Sequence, residues 1–266
     1  MKKITIILPV YKLENEDRIM LDNAISSTDN FHEDVKIVMV SPKKLKPELD
    51  EMILKYRENE KIELSVLYNN TKKTDFMSQV NLGIENCDTE WFSILEIDDE
   101  YKTPWLSSMN EYIKAYEDVD VFLPIVKDVN VEGDFLNFTN ESVWAYGFSD
   151  KIGRLDKEVL LDYQNYQTSG GLYKTQVVRD NGGFKENIKL TFSYEFLLRL
   201  AYNGVEIMTV PKIGYQHVDF RENSLFWMYK NDEKEKLSEN EVKFWLETAK
   251  KEYFFKNKRD IIYNPK

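Results

Sequence analysis

The sequence predicts an α/β fold built on one mostly parallel central sheet with helices on both faces. Three observations lead there. Short β-branched runs alternate with helix-patterned stretches through the first hundred residues, so that strand, helix, strand recurs three times. The chain of 266 residues is 42% hydrophobic and 14% aromatic, enough apolar side chain for one large core. Glycine and proline contribute only 10 and 7 residues, which excludes collagen-like and low-complexity chains.

In order along the chain, Ile4–Val10 reads as a buried first strand and Glu16–Ser27 as the helix after it. Val35–Val40 is the second strand, followed by a helix over Pro47–Tyr56 with Leu49, Met52, Ile53 and Tyr56 on one face. Ile62–Leu67 is the third strand, Thr74–Asn86 a helix striped by Phe76, Val80 and Ile84, and Trp91–Ile97 the fourth strand. Thr103 and Pro104 supply an N-cap and a first-turn proline for a helix carrying Leu106, Met109, Ile113 and Tyr116. Val119–Ile125 is another buried strand. From Lys127 to Tyr166 the pattern weakens into polar and aromatic pieces, read as a hairpin with loops. Order returns at Gly170-Gly171-Leu172-Tyr173. A short helix over Gln176–Asp180 ends at Gly182-Gly183, and a firmer one over Ser193–Tyr202 stops at Asn203-Gly204. Glu206–Val210 and Ile213–His217 read as two strands divided by Pro211. Ser238-Glu239-Asn240-Glu241 forms a capping box ahead of Val242, Trp245, Ala249 and Tyr253. With no repeat and no linker, we expect one domain over residues 1–225 and an amphipathic C-terminal helical extension over 226–266 that packs on it.

Charge narrows the function. Asp and Glu number 47 against 36 Lys and Arg, a net charge of −11, so the overall field repels polyanions and excludes a nucleic-acid sheath or an anionic-membrane binder. A phosphate ligand therefore needs local positive charge, from a metal or from a few lysines and arginines. The single cysteine, Cys87, cannot close an internal disulfide, and with two histidines it excludes a Cys/His zinc site. A reducing cytoplasm fits that usage. Lys2-Lys3 and the apolar run after them resemble the start of a signal peptide, but the run is short, contains Pro9 and lacks a small-residue cleavage site. No stretch approaches the roughly 20 apolar residues of a membrane span.

The sharpest feature is Glu96-Ile97-Asp98-Asp99-Glu100, where a buried-strand pattern runs straight into four carboxylates. Like charges this close repel unless a cation or solvent relieves them, and a divalent metal would do so. Glu96 and Asp98 share a face if the strand continues, and a turn at Asp98 brings Asp99 toward the same ion. Hard oxygen ligands favour magnesium, manganese or calcium. A solvated acidic turn is the alternative reading of these residues alone.

Here the chain resembles the GT-A glycosyltransferases, in particular the large inverting family numbered two, over Ile4 to about Ser224. The resemblance rests on the Pro9-Val10-Tyr11 turn, Asn81-Leu82-Gly83-Ile84 and Leu95-Glu96-Ile97-Asp98-Asp99. It continues through Gly182-Gly183-Phe184, the acid and arginine Glu195 and Arg199, Val210-Pro211, and His217, Arg221, Asn223 and Ser224. It implies a GT-A fold and sugar transfer from a nucleotide-diphosphate donor to a carbohydrate or other hydroxyl acceptor, with manganese or magnesium bridging the diphosphate. A cation would also let an acidic protein hold that donor. The resemblance makes Asp98 the main metal ligand, with Glu96 and Asp99 assisting and His217 a further ligand or diphosphate contact. Pro9, Tyr11, Lys73, Asn81, Glu96, Asp98 and Arg221 are the expected donor contacts.

An inverting transfer needs a base for the acceptor hydroxyl. The family places a Glu-Asp pair shortly before its arginine, whereas this chain reads Thr191-Phe192-Ser193-Tyr194-Glu195. Glu195 is the nearest acid and the candidate base, although its spacing from Arg199 is also that of an intrahelical ion pair. Asp180 and Glu186 are weaker substitutes. His32 is expected on the surface, and Trp144, Tyr146 and Trp227 are candidates for stacking on sugar faces. Two further departures are Ser41-Pro42-Lys43, where the family commonly has an acid, and Val80, where it has an arginine. A related domain that binds but does not turn over, or a nucleotidyltransferase, are the competing readings; the second lacks the Gly-rich basic loop after the first strand.

Overall fold

The computed structural model describes residues 3–31, 35–57, 63–141, 153–256 and 262–265. Four parallel strands open the sheet: β1 Ile4–Pro9, β2 Val35–Pro42, β3 Glu63–Asn69 and β4 Trp91–Ile94. Helices α1 Asn15–Ser26, α2 Lys46–Arg57 and α3 Phe76–Asn86 connect them. The chain then adds β5 Glu100–Tyr101, α4 Trp105–Ala115, β6 Val121–Val129, β7 Phe135–Thr139, α5 Lys157–Asp162 and β8 Leu172–Lys174. It closes with α6 Thr175–Asp180, α7 Phe192–Tyr202, β9 Ile207–Val218, α8 Leu225–Asn231 and α9 Glu239–Glu252. The sheet order is β3-β2-β1-β4-β8-β6-β9-β5, with β7 on β6. Because β8 is antiparallel to both β4 and β6, those two and β9 run the same way as β1 to β3. The sheet is thus mostly parallel, as the alternation predicts.

The period of the strands explains the layers. Ile4, Ile6, Leu8 and Val10 pack with Leu21 and Ile25 of α1, Leu49 and Ile53 of α2, and Trp105 and Met109 of α4. Ile7 points the other way, into a second core with Val80 and Ile84 of α3, Phe196 and Leu200 of α7, and Trp245 and Ala249 of α9. Strands covered on both faces read as near-continuous apolar runs, as β1 does; its one polar side chain, buried Thr5, is satisfied by Thr89 at 2.6 Å. The apolar stripe of α9 thus enters the same core as β1, behind the Ser238–Glu241 capping box. Close backbone approach matters at Gly83, where a Cβ would stand 2.5 Å from Ile7 Cγ2. Gly83→Ala is expected to lower stability in urea denaturation, because overpacking costs about 1–3 kcal/mol against about 1 kcal/mol gained in helix propensity. An unchanged midpoint would mean that α3 can ride away from β1.

The structure departs from the sequence reading at several edges. The strand expected over Trp91–Ile97 ends at Ile94, although Leu95 still donates to the Ile7 carbonyl at 3.0 Å; the acidic run therefore leaves the sheet earlier and turns. The two strands expected around Pro211 are one, β9, because its register on β6 shifts at Pro124–Val126 and absorbs the missing donor. Pro104 rather than Thr103 is the N-cap of α4, and Asp75, accepting from the Ser78 amide at 3.0 Å, caps α3. The expected hairpin is β6–β7, while α5 and α8 carry too few residues to show a helical period.

Candidate active site

The carboxyl ends of the parallel strands open onto one cleft, as such sheets require. Tyr11 follows β1, Glu96 and Asp98 follow β4, His217 and Val218 end β9, and Asp219 and Arg221 lie on the turn beyond it. The facing wall is Gln167-Thr168-Ser169, Phe76, Phe192 and Ser193, with Leu225 and Phe226 of α8. Phe226 belongs to the stretch assigned above to the C-terminal extension, and its ring stacks on Phe192 at 6.0 Å and 12°. Two joints hold the acidic turn in place. Glu100 and Tyr101 pair with Gln216 and Tyr215 as β5 on β9, and the Glu96 amide donates to the Tyr215 hydroxyl at 3.1 Å. The acids after β4 are thereby fastened to the histidine at the end of β9.

One ligand atom each from Glu96, Asp99 and His217 lies within 4.8 Å of the others. Asp99 is 1% exposed, accepts the Val218 amide at 2.9 Å and faces His217 Nδ1 at 3.0 Å. Glu96 accepts the Ser169 hydroxyl at 2.6 Å. Burial raises the Glu96 carboxyl to about 7, helped by Asp99 and Asp98 and opposed by His217. Burial likewise raises Asp98, with Asp99 adding to the effect and Arg221 opposing it. For His217, burial works against the imidazolium, but Asp99, Glu96 and Asp98 around it hold its pKa well above the ordinary value. Burial lifts the Tyr11 phenol to about 12, with Arg221 pulling against it and Glu96, Asp98 and Asp17 adding to it. The paired carboxylates and one imidazole are a hard donor set that fits manganese or magnesium. The excess of negative charge over one shared proton is what a divalent ion would relieve.

The structure sorts the expected residues. Tyr11, Glu96, Asp98, Asp99, His217 and Arg221 are brought together. Asp98, expected as the main metal ligand, falls outside the three-residue cluster, and its carboxylate accepts a hydrogen bond from Arg221 Nε. Pro9 is buried inside β1 opposite Val40, away from the cleft lining. Lys73 is also away from the cleft, paired with Glu186 at 3.1 Å. Asn81 is a structural clamp: its amide accepts from Phe184 N at 2.8 Å and donates to Phe184 O at 2.9 Å, gripping the Gly182-Gly183 turn. Trp227 sits on α8 outside the cleft lining, and His32, Trp144 and Tyr146 lie outside the described residues.

With that geometry in hand, comparison with known proteins is direct. The sequence profile described as Glycosyl transferase family 2 matches residues 5–174, most of the chain. The chain belongs to Glycosyl transferase family 2. No curated protein matches it significantly. Among solved structures, the S. aureus TarS 1-349 fragment in complex with UDP-GlcNAc superposes with a TM-score of 0.61 at 18% identity, covering 85% of this chain and 60% of that one. The mannosyltransferase PcManGT from Pyrobaculum calidifontis, in complex with GDP-Man and Mn2+, gives 0.60 at 15% identity, over 85% and 59% of the two chains. The present chain thus spans about 60% of those structures, and they establish its GT-A fold. No helix among the described residues is long and apolar enough to cross a membrane.

Against the family 2 pattern, the acid at the start of α7 is the clearest departure. Phe192 and Ser193 line the cleft where the Glu-Asp pair is expected. Glu195, the substitute base of the sequence reading, is fully buried and does not line the cleft. Its oxygens meet Arg199 Nε at 2.8 Å, Arg199 Nη2 at 3.1 Å and Lys185 Nζ at 2.9 Å. A carboxylate held by two cations and shut off from solvent cannot collect a proton from an acceptor, so the intrahelical pair is the reading that geometry favours. The sequence reading missed Ser169, Thr168 and Phe226; only the Gly170-Gly171 signal stood near any of them.

Proposed function

We propose that the protein is a metal-dependent, inverting glycosyltransferase that moves a sugar from a nucleotide-diphosphate donor to an acceptor hydroxyl. The observation that carries this is the convergence of Glu96, Asp99 and His217 beside Asp98 and Arg221 at the strand ends of a family 2 fold. Inversion is supported by the family. Glu96, Asp99 and His217 would hold a manganese or magnesium ion, with Asp98 turning toward it from the cleft side. When bound, that ion offsets the charge that grows on the leaving diphosphate as the bond to the anomeric carbon breaks. Arg221 supplies a second, permanent positive group to the same oxygens. Tyr11 stands at the rim beside them, and the Ser169 hydroxyl holds one oxygen of Glu96. The acceptor attacks from the face opposite the nucleotide, and its proton passes to water or to a cleft carboxylate outside the ion's ligands, of which Asp219 is one.

A thermal-shift panel of UDP and GDP sugars with and without Mn2+, run beside an assay for nucleotide release, tests this. At least one donor should raise the melting temperature only when Mn2+ is present, and release should follow once an acceptor is supplied. Absence of any donor-dependent shift would remove the proposal. A second reading, a family member that binds the donor without turning it over, is favoured by Phe192 and Ser193 at the expected acid position. It would appear as Mn2+-dependent binding with no release under any acceptor.

A further inference from the structure

Among the described residues lining the cleft, Arg221 is the one arginine or lysine. It is shared between two carboxylates from separate elements, one after β4 and one in α1. Nε donates to Asp98 Oδ2, and Nη1 donates to Asp17 Oδ1 at 3.2 Å. The two acids differ in what else they do. Asp98 belongs to the acidic turn whose charge a metal would claim. Asp17 stands in the first turn of α1, where its other oxygen, Oδ2, accepts the Glu14 amide at 2.8 Å in a reciprocal capping box. Asp17 is only 3% exposed, so the helix start fixes it whether or not the cleft is loaded.

The turn carrying Arg221 is built to face Asp17. Phe220 and Asn223, on either side, are left-handed at φ 60° and φ 64°, a cost that non-glycine residues bear only where the surroundings hold them. Ser224 N returns to the Arg221 carbonyl at 3.0 Å, and Lys12 Nζ reaches across from the β1–α1 connection to the Asn223 carbonyl at 3.3 Å. A guanidinium has five N–H donors, and the two described contacts use two of them. The rest can face ligand oxygens.

We propose that Asp17 is a positioning residue: it holds Arg221 aimed into the cleft when Asp98 turns to a divalent ion, so that the remaining N–H groups meet the diphosphate of the donor. This rests on the donor chemistry proposed above. Without Asp17, the guanidinium would keep Asp98 as its sole anionic partner and would compete with the metal for it.

Asp17→Asn tests this well because the amide oxygen preserves the cap on Glu14. Calorimetric titration with UDP and GDP in Mn2+ should show affinity for the bound diphosphate falling by about tenfold, the loss of one charge-assisted contact. Titration with uridine or guanosine should be unchanged. In an Arg221→Ala background the same Asp17→Asn substitution should have no further effect on diphosphate affinity, which a merely structural role of the cap would not produce. If the parent protein binds neither diphosphate, the donor reading fails and the inference falls with it. If the parent binds one and Asp17→Asn binds it equally well, or weakens it by the same factor with and without Arg221, the inference alone is overturned.

Discussion

Asp98→Ala is expected to lower Mn2+-dependent nucleotide release by about a hundredfold or more, an effect of the size seen when a metal's support of the leaving group is lost. The reason lies in where Asp98 stands. Of the acids after β4, Asp98 and Glu96 line the cleft, while Asp99 lies behind them at 1% exposure, occupied by His217 and the Val218 amide. Removing Asp98 takes away a cleft carboxylate that would support the ion and leaves Arg221 to Asp17 alone. The second change should partly favour donor binding, since the guanidinium then has one anionic partner fewer. The expected signature is therefore a fall in turnover and in the Mn2+ midpoint, with affinity for the diphosphate falling much less. Turnover close to that of the parent would show that Glu96, Asp99 and His217 hold the ion unaided. An equal loss of diphosphate affinity would instead assign Asp98 to binding alone.

How far the sequence revealed this follows from the kind of signal each part carries. The parallel half of the sheet was legible because β1, β2 and β4 are largely covered on both faces, and that burial imposes mostly apolar runs. The acid cluster was legible because four carboxylates directly after such a run repel one another unless a cation or solvent relieves them. The position of Glu195 was not. Local spacing allowed both a base and a partner for Arg199, and only the tertiary contact of Lys185 with the same oxygen decides between them. Asn81 shows a related limit: its motif is real, and the order of residues does not reveal that it grips the Phe184 backbone. Ser169, Thr168 and Phe226 come to the cleft from segments of weak periodicity, and nothing in the order of residues places them opposite β4. The ion pair of Arg221 with Asp17 spans 204 positions and is invisible to any local pattern.

Glu195→Ala is expected to cost about 3–5 kcal/mol of folding stability, the loss associated with removing one partner of a buried ion pair. Arg199 is fully buried, and its guanidinium also donates to the Asn181 and Gly183 carbonyls, the latter at 2.6 Å. Lys185, 5% exposed, has its pKa lowered by burial and is supported by the same carboxylate. Deleting Glu195 leaves Arg199 with carbonyls alone and Lys185 with Glu252, and loosens the turn at Gly182-Gly183-Phe184, which Asn81 of α3 grips from the other side. Damage should therefore spread from α7 to α3, and urea unfolding should show a lower midpoint with little change in slope. A base would behave otherwise, leaving the midpoint in place while abolishing transfer. The triple change Glu195→Leu, Arg199→Met and Lys185→Met should recover part of the loss, because buried charges replaced together by apolar side chains of similar size are often neutral in net stability. A Glu195→Ala protein that melts like the parent yet no longer releases nucleotide would restore the catalytic role that the buried pair argues against.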